Sequence, residues 1–455
     1  MNDHAVINGA SMAGLLAASV LSDRFTHVTL IERDELPDEA ENRRGVPQGR
    51  HAHVLLAAGE QVLARLFPGI VDELLAAGAV PINAGDHALW HQAGAPRVRY
   101  HSEITALSFS RPLLEMIVCR RVKAIANVTM MTGTAVRGLE VDADGCVRGV
   151  RVVHDDALNT VRGDLVVDST GRSAPLLRDL GALGHPAPPE SHVKIDLLYA
   201  TRLVRRRPGD IGGADCVFVM SETGRFGVAL PVEGDRWIVT LSGLHGDHPG
   251  KDPQSHVDFA RSLPVPEIAE LLGSAVDASP VMIHRMASSQ RRHVEKLTDP
   301  PTGYVMLGDA ICSFNAVYGQ GMTSAALQAE ALGRVLERND ASSPRLPKAF
   351  YRAAAKVVAN PWTIAAGSDF NHPLTTGPKP PGTDVVNKYM AHVLRACHTS
   401  PAIAEQMMRV QNLLDAPTSL MRPDRMIRVF LASRRSTAPP IGTTPEPAES
   451  HRVAA

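Results

Sequence analysis

The chain has 455 residues, with 47 basic and 48 acidic side chains and a formal net charge of −1. With its charges so nearly balanced, the chain lacks the positive surface that nucleic-acid binding requires. The arginine runs at 205–207 and 291–292 are too short to provide one. The five cysteines form no Cys-x-x-Cys pair, which favours a reduced, cytoplasmic protein without structural zinc. No segment is long and apolar enough to predict a membrane span, so we expect a soluble protein.

The first predicted element is a strand, turn, helix and strand at the N-terminus. Residues 4–7 are predicted as a strand, residues 9–14 (GASMAG) as a turn that opens a helix, and residues 28–31 as the next strand. Gly9 allows the sharp turn, and Gly14 allows helix and strand to pack closely. A pyrophosphate would meet free N–H groups at the start of this helix.

Two polar residues of this unit refine the prediction. Ser11 stands where the motif usually has its middle glycine, and it is small enough to be tolerated, with a hydroxyl that can bond a phosphate oxygen. Glu32, at the end of the second strand, has the spacing of an acid that accepts hydrogen bonds from an adenosine ribose. Because a carboxylate there repels a 2′-phosphate, the unit favours FAD or NAD over NADP.

The pair His51 and His53 is the nearest approach to a metal-ligand pattern in the chain. Most such pairs are hydrogen-bonded or exposed, so we predict no metal site.

The pattern changes to period-two alternation between residues 190 and 285. Strands are predicted at 197–204, 216–220, 226–232 and 237–241, with a hairpin turn at 233–235. This predicts an antiparallel sheet that covers the cofactor and forms a wall of a substrate cavity. The apolar candidates for that wall, each with core packing as the alternative, are Tyr199, Phe218, Phe226, Leu230 and Trp237.

The last elements return to the nucleotide-binding pattern and then become helical. A buried strand is predicted at 304–307, followed by Gly308, Asp309 and a loop that ends YGQGM at 318–322. Amphipathic helices are predicted at 385–398 and 402–415. The two patches near residues 9 and 309 together indicate FAD.

The predicted fold class is α/β (α+β) with a discontinuous, Rossmann-like FAD-binding domain. We assign this domain to residues 1–185 and 286–345, and an antiparallel-sheet substrate domain to residues 186–285. A C-terminal helical cap covers residues 346–435, and the Pro-, Thr- and Glu-rich end, 436–455, is predicted to be disordered.

Four segments, in this order, resemble the flavoprotein monooxygenases of the para-hydroxybenzoate hydroxylase fold. They are RRGVPQGRHAH at 43–53, SRPLLE at 110–115, DLVVDSTGR at 164–172, and 308–322. The similarity is greatest to the epoxidase-like branch that acts on polyketide polyenes and is related to squalene epoxidase. It covers most of residues 4–435. It implies FAD as cofactor, NADH, NADPH or a separate flavin reductase as electron donor, and O2 as co-substrate.

The resemblance also assigns roles to individual residues. It places Arg43 beside the FAD phosphates, Val46 along the isoalloxazine ring and Arg111 at a helix start near the ribityl or phosphate groups. A solvated surface arginine is the alternative for Arg43 and Arg111. Asp309 corresponds to the ribityl-binding aspartate, with a helix cap as its rival role.

The helix that begins near Met322 would direct its positive end at the flavin N1 and C2 carbonyl. Gly319 and Gly321 would permit the close approach of the backbone. The predicted cofactor-binding set is completed by Arg33, Val136 and Asp168.

Two positions depart from the family pattern. The aromatic hydroxylases have an Asp-Gly pair where this chain reads DSTGRS at 168–173, which leaves FAD binding little affected but weakens the case for NAD(P)H contacts there. Related sequences usually carry proline where Ala316 stands. Proline would stiffen this loop, so its loss either loosens the oxygen-reaction pocket or is neutral.

The implied function is a monooxygenase that transfers oxygen from a flavin C4a-hydroperoxide to a hydrophobic small molecule, by epoxidation or hydroxylation of a polyene or polyketide. No catalytic side chain is assigned, because the flavin does the chemistry. The alternatives are a non-redox cyclase (pericyclase) on the same scaffold and a non-enzymatic flavin-binding partner protein. A halogenase is disfavoured, because the Trp-x-Trp-x-Ile signature is absent: the tryptophans are Trp90, Trp237 and Trp362.

Overall fold

The computed structural model describes residues 2–438, which form both β-strands and α-helices. The strands are β1 (Asn2–Asn8), β2 (Phe25–Ile31), β3 (Val80–Asn83), β4 (Ala88–Gln92), β5 (Ala95–Pro96), β6 (Thr105–Ser108), β7 (Val128–Met131), β8 (Ala135–Val141), β9 (Val147–His154), β10 (Ala157–Arg162), β11 (Leu165–Asp168), β12 (Glu190–Arg205), β13 (Cys216–Met220), β14 (Phe226–Val232), β15 (Arg236–Gly243), β16 (Met282–Arg292), β17 (Tyr304–Met306) and β18 (Cys312–Ser313). The helices are α1 (Met12–Ser22), α2 (Ala57–Leu66), α3 (Ile70–Ala76), α4 (Arg111–Lys123), α5 (Leu177–Ala182), α6 (Pro253–Arg261), α7 (Glu267–Gly273), α8 (Gly321–Leu336), α9 (Arg345–Asp369), α10 (Thr383–Ala396), α11 (Pro401–Gln411) and α12 (Pro423–Ser433).

A five-stranded parallel sheet of order β17-β11-β1-β2-β7 forms the nucleotide-binding part. Its strands are short apolar runs, as parallel strands covered on both faces require. In the register, Ile7 lies beside Val167, and Val167 beside Val305. All three strands therefore end at one edge of the sheet, where the turn at residues 9–11 and the segment 308–309 follow. The predicted convergence of these two distant stretches is confirmed.

The second large sheet has eight strands in the order β18-β16-β12-β15-β14-β13-β4-β5. Its pairs are antiparallel except β13 with β4. The central strands are the four predicted from period-two alternation. The sheet also includes β4, β5 and β18, from outside residues 186–285. Two smaller antiparallel sheets, β10-β9-β8 and β3-β6, complete the strand structure.

Helices α10, α11 and α12 form a group at the C-terminal end with a core of their own around Val393, Ile403 and Val429. Helix α9, which the predicted cap of residues 346–435 also included, packs into the main core instead. Helices α10 and α11 match the predicted pair within a few residues, whereas α12 was not predicted. The predicted disordered tail falls almost wholly outside the described residues. Together, the two sheets and the cap confirm the predicted α/β (α+β) fold class. Within residues 2–438, no helix is both long and apolar enough to cross a membrane.

Gly14 is expected to tolerate no side chain. A Cβ atom there would overlap the carbonyl oxygen of Gly9 and lie 2.7 Å from Oγ of Ser169. We expect Gly14→Ala to lower the free energy of unfolding by about 1–3 kcal/mol or more, because the overlap is with backbone. Urea denaturation checks this. The control is Gly367→Ala in α9, where a Cβ meets no atom within 4 Å and a stabilisation of about 0.5–1 kcal/mol is expected. Equal stability of the two variants would contradict the packing role of Gly14.

Candidate functional site

A groove of about 690 Å³ opens at the edge where β1, β11 and β17 end. It is lined by the N-terminal turn at 11–13, the segments 44–48 and 169–173, and the late segment 309–322. Two stretches some three hundred residues apart therefore line one depression, of the size that holds a small molecule or cofactor.

Eight of the fourteen predicted cofactor-binding residues line this groove: Ser11, Arg33, Val46, Arg111, Asp309, Gly319, Gly321 and Met322. The other six lie behind it or elsewhere: Gly9, Gly14, Glu32, Arg43, Val136 and Asp168. The residues that the sequence reasoning missed include Arg172, which ends the DLVVDSTGR segment but was given no role, and His284, which lies outside the quoted motifs.

Glu32 and Arg43 hold the shape of the N-terminal turn. The Glu32 carboxylate accepts hydrogen bonds from the N–H of Ala10 at 2.8 Å and of Asp34 at 3.1 Å. Arg43 lies 3.1 Å from the same carboxylate and donates to the Ala10 carbonyl at 3.0 Å. The Arg43 side chain is only 8 % exposed, so the alternative of a solvated surface arginine is wrong. The ribose contact of Glu32 and the phosphate contact of Arg43 stay predictions.

Ser11 and Arg111 share a carboxylate at the floor of the groove. The Ser11 hydroxyl donates to Glu115 at 2.6 Å and accepts from Arg111 at 2.8 Å. Arg111 also donates to Glu115 at 3.1 Å. Burial opposes ionisation of Glu115, but Arg111 and Arg43 outweigh it and lower its pKa.

The Arg111 guanidinium has a further donor to offer. Arg111 is the first residue of α4, as predicted, and it is buried, so the surface alternative is wrong for it too. Its Nε is buried and lacks a hydrogen-bond partner among residues 2–438. A buried donor of this kind is suited to an anionic ligand in the groove.

Asp309 presents an uncommitted carboxylate to the groove. It lies in a short 3₁₀ turn, Gly308–Ala310, directly after β17. The side chain is open to the groove, and within the described chain it accepts no hydrogen bond, which excludes the helix-cap alternative. Surrounding protein raises the pKa of Asp309, while Arg111 and Arg172 oppose this shift. The carboxylate is therefore free to accept bonds from ligand hydroxyls.

Helix α8 begins at Gly321, beside Asp309, and its first turn borders the groove. Gln320 stands at the N-cap position and supplies no side-chain cap, so the positive end of the helix is left for a ligand. Gly319 has φ +65°, a backbone conformation that glycine adopts most readily.

Asp168 and Val136 do not reach the groove. The Asp168 carboxylate is fully buried and accepts bonds from the Thr170 backbone N–H at 3.0 Å and hydroxyl at 2.6 Å, and from the Tyr304 hydroxyl at 2.9 Å. Val136 lies on β8, packed against the core. Contact of either side chain with a cofactor stays a prediction, but residues 169–173 line the groove in their place.

A second cavity of about 500 Å³ adjoins the groove, between the eight-stranded sheet and the C-terminal cap. We call it the adjoining cavity. The two spaces share the lining residues His53, Val54, Phe218, Phe226, Leu230, Val317, Gly319 and Gln320. A ligand in the adjoining cavity can thus lie against a ligand in the groove.

Four of the five apolar candidates line one of the two spaces, since Tyr199 lines the groove and Phe218, Phe226 and Leu230 line both. For Trp237 the alternative of core packing is correct. It is buried in the core on the other face of the sheet, and its indole N–H donates to Asp210 at 2.9 Å. Period-two alternation puts Trp237 out of phase with the lining residues of neighbouring β14.

The segment 315–319 separates the groove from the adjoining cavity and is held by Asp369, at the end of α9. The amide of Asn315 donates to the Asp369 carboxylate at 2.7 Å, and the Tyr318 hydroxyl donates at 3.3 Å. This segment carries Ala316, where related sequences have proline. A long-range contact thus restrains the segment, and the local sequence did not indicate it.

His51 and His53 make hydrogen bonds of their own. His51 bonds Thr201 at 2.7 Å, and the Nδ1 of His53 bonds the His51 carbonyl at 2.9 Å. Burial lowers the pKa of His51 to about 3 and that of His53 to about 4. The nearby Arg111 adds to the shift of His53, whereas Glu115 opposes it. Both rings are neutral at pH 7. The described residues contain no cluster suited to a metal ion.

The fold is similar to that of solved flavin-dependent monooxygenases and halogenases. Similar solved structures are PqsL of Pseudomonas aeruginosa, described as a probable FAD-dependent monooxygenase (TM-score 0.61, 18% identity, covering 82% of this chain and 99% of that one), and the flavin-dependent brominase Bmp2 (0.64, 14%, 95% and 98%). A third is OxyS, an anhydrotetracycline hydroxylase of Streptomyces rimosus (0.62, 18%, 91% and 77%).

The chain matches no known family model. Protein Rv3254 of Mycobacterium tuberculosis is 34% identical over 471 residues, an alignment that covers 98% of each chain. The chain therefore belongs to the same family as Rv3254.

Proposed function

We propose that the protein is an FAD-dependent monooxygenase that inserts one atom of O2 into a hydrophobic small molecule. One observation carries this proposal: the groove, which offers donors and an acceptor for a dinucleotide, meets an apolar cavity at residues 317–320. A cofactor in the first space would lie against a substrate in the second.

The residues present fit FAD. The start of α1 and the unpaired Nε of Arg111 suit a diphosphate, and the free carboxylate of Asp309 suits the ribityl hydroxyls. The uncapped start of α8 would stabilise negative charge on a ring system placed above it. When bound, FAD supplies the redox chemistry with a reductant and O2.

The side chains of the protein would bind and orient the substrate and exclude water from it. The adjoining cavity is lined mainly by aromatic and aliphatic side chains, including Trp90 stacked on Phe218 with ring centroids 4.6 Å apart. Such a lining suits a long apolar molecule, and it keeps water from the reacting centre. We propose a polyene or polyketide as substrate, with epoxidation or hydroxylation as the outcome, and NADH, NADPH or a separate flavin reductase as the electron source.

Anaerobic reduction of the flavin-loaded protein tests this function. We expect NADH or NADPH, alone or together with an added flavin reductase, to bleach the flavin absorbance. Admission of O2 with a polyene should then give a product heavier by one oxygen. With the flavin held oxidised and without O2, no product should form. Product formation under those conditions would instead indicate a non-redox cyclase, and bromide-dependent product would indicate a halogenase.

A further inference from the structure

A guanidinium stands behind one wall of the adjoining cavity. Arg97, just after β5, donates from Nη2 to the side-chain carbonyl oxygens of Gln92 at 2.9 Å and Gln411 at 3.1 Å. Its guanidinium carbon lies 3.9 Å from the ring centroid of Trp90. Gln92, Gln411 and Trp90 all line the cavity, whereas Arg97 does not.

This cation has no carboxylate partner in the described part of the chain. Its Nε and Nη1 are buried and make no hydrogen bond there. Burial lowers the pKa of Arg97, with Cys397 and Tyr100 as the opposing neighbours. Burial in turn raises the pKa of Cys397 to about 11 and raises that of Tyr100, so both neighbours are neutral at pH 7. A buried cation normally has a compensating anion, whereas the partners of Arg97 among residues 2–438 are neutral amide oxygens and an aromatic ring.

Arg97 also fixes the orientation of the two amides. A guanidinium can only donate, so it turns both glutamine oxygens toward itself and both NH2 groups away. The Nε2 of Gln411 makes no hydrogen bond within residues 2–438. Within the same residues, the Nε2 of Gln92 donates to the Sδ of Met220 at 3.7 Å, and a thioether sulfur is a weak acceptor. The cavity wall thus presents two amide donors without a strong acceptor.

These donors lie apart from the junction with the groove. Neither Gln92 nor Gln411 lines the groove, whereas His53 and residues 317, 319 and 320 line both spaces. Elsewhere the lining of the cavity is mainly apolar and includes Met390, Met407 and Met408, with Glu222 and Arg395 as its charged members. The cavity therefore has an apolar body and a donor-bearing wall away from the groove.

We propose that the substrate is an apolar molecule with a hydrogen-bond acceptor oxygen, a ketone, ester or carboxylate, that binds the amide of Gln411 with Gln92 beside it. Arg97 is a positioning residue that holds both amides and adds positive potential. The acceptor anchors one end of the substrate, and the apolar part extends toward the groove. This inference rests on the proposed function in calling the ligand a substrate, but the binding step requires no flavin chemistry.

Calorimetric titration of the full chain with three probes of similar size tests the proposal. The probes are 2-acetonaphthone, a neutral acceptor, 2-naphthoate, an anionic acceptor, and 2-ethylnaphthalene, which has no acceptor. We expect both acceptor probes to bind about tenfold or more tightly than 2-ethylnaphthalene. Because Arg97 adds positive potential at this wall, 2-naphthoate should bind more tightly than 2-acetonaphthone.

Two variants test whether the preference for acceptor probes arises at Gln411. Gln411→Leu should weaken both acceptor probes about tenfold and leave 2-ethylnaphthalene unchanged. Gln411→Glu supplies Arg97 with a carboxylate partner, so the wall is retained while the donor is lost, and 2-naphthoate should then bind least. Gln61→Leu is the control, because it makes the same replacement at an exposed position of α2 that lines neither space, and the affinity of all three probes should be unchanged.

Equal affinity for all three probes, or equal loss of all three in Gln411→Leu, would overturn the inference. The outcome is separable from that of the proposed function. Binding that depends on Gln411 in a protein that holds no flavin would refute only the monooxygenase. A competent monooxygenase without acceptor preference would refute only the role of Gln411.

Discussion

Replacing Asp369 with asparagine is expected to remove a pH dependence of stability of about 4 kcal/mol between about pH 4 and pH 7. Asp369 is only 3% exposed, and its Oδ2 has no hydrogen-bond partner among the described residues. Burial raises the pKa of this carboxyl to about 7, although the bonds from Asn315 and Tyr318 oppose the shift.

The sign of the effect follows from the raised pKa. Below about pH 4 the carboxyl is protonated in both the folded and the unfolded chain, and its contribution to stability is fully present. As the pH rises to about 7, the unfolded chain ionises first, so the folded state loses that contribution. The wild type should thus lose stability at this site as the pH rises, whereas Asp369→Asn should not.

Urea unfolding of the two proteins at several pH values between 4 and 8 measures this difference. The free energy of unfolding of the variant, minus that of the wild type, should increase with pH. Asp72→Asn, an exposed aspartate on α3, is the control, and it should give a difference near zero throughout. A difference for Asp369→Asn that is flat or falls with pH would show that this carboxyl is already ionised in the folded chain.

The second large effect is expected for Asp309→Ala. Asp309 offers the groove a carboxylate that makes no hydrogen bond in the described chain, so its removal deletes ligand contacts and little else. We expect FAD to bind on the order of 10- to 100-fold more weakly, as for loss of hydrogen bonds to a charged acceptor. The protein should then be purified largely without flavin.

The ratio of flavin to protein absorbance in the purified variant reports this loss directly. Thermal unfolding in the absence of flavin should be unchanged, because Asp309 makes no contact that the fold requires. Asp72→Ala should retain the flavin content of the wild type. Full flavin occupancy in Asp309→Ala would remove Asp309 from the proposed ribityl contact.

The predictions from sequence were most successful where a motif lies within one continuous stretch of the chain. The turn between β1 and α1, and the turn after β17, contain glycines whose spacing reflects backbone geometry within a few residues. The parallel register then brings the two turns together, because neighbouring parallel strands end at the same edge. The groove could therefore be predicted from two short patterns.

Side-chain partners across the fold could not be predicted in this way. Arg43 was assigned to a phosphate, but it also lies 3.1 Å from Glu32, and this pairing depends on how a later loop folds back. Asp369 lies 51 residues after Tyr318, in a helix without any motif, yet its carboxylate bonds the segment at the junction. Arg97 was overlooked because its amide partners, Gln92 and Gln411, lie in different parts of the chain.

The same limit explains why the sequence left both cavity lining and core packing open for Trp237. Alternation identifies the two faces of a strand but not which face meets the cavity. The helices α6 and α7 cover the face on which Trp237 lies, and their residues Phe259 and Ile268 belong to its core. Only the packing of these helices shows which face of the sheet remains open.

The most direct test of the groove is equilibrium titration of the apoprotein with FAD and, in parallel, with FMN. The structure predicts one FAD per chain and much weaker binding of FMN, because FMN lacks the diphosphate and adenosine that the N-terminal turn is placed to receive. Absence of FAD binding, or FMN bound as tightly as FAD, would contradict the assignment of the groove to one extended dinucleotide.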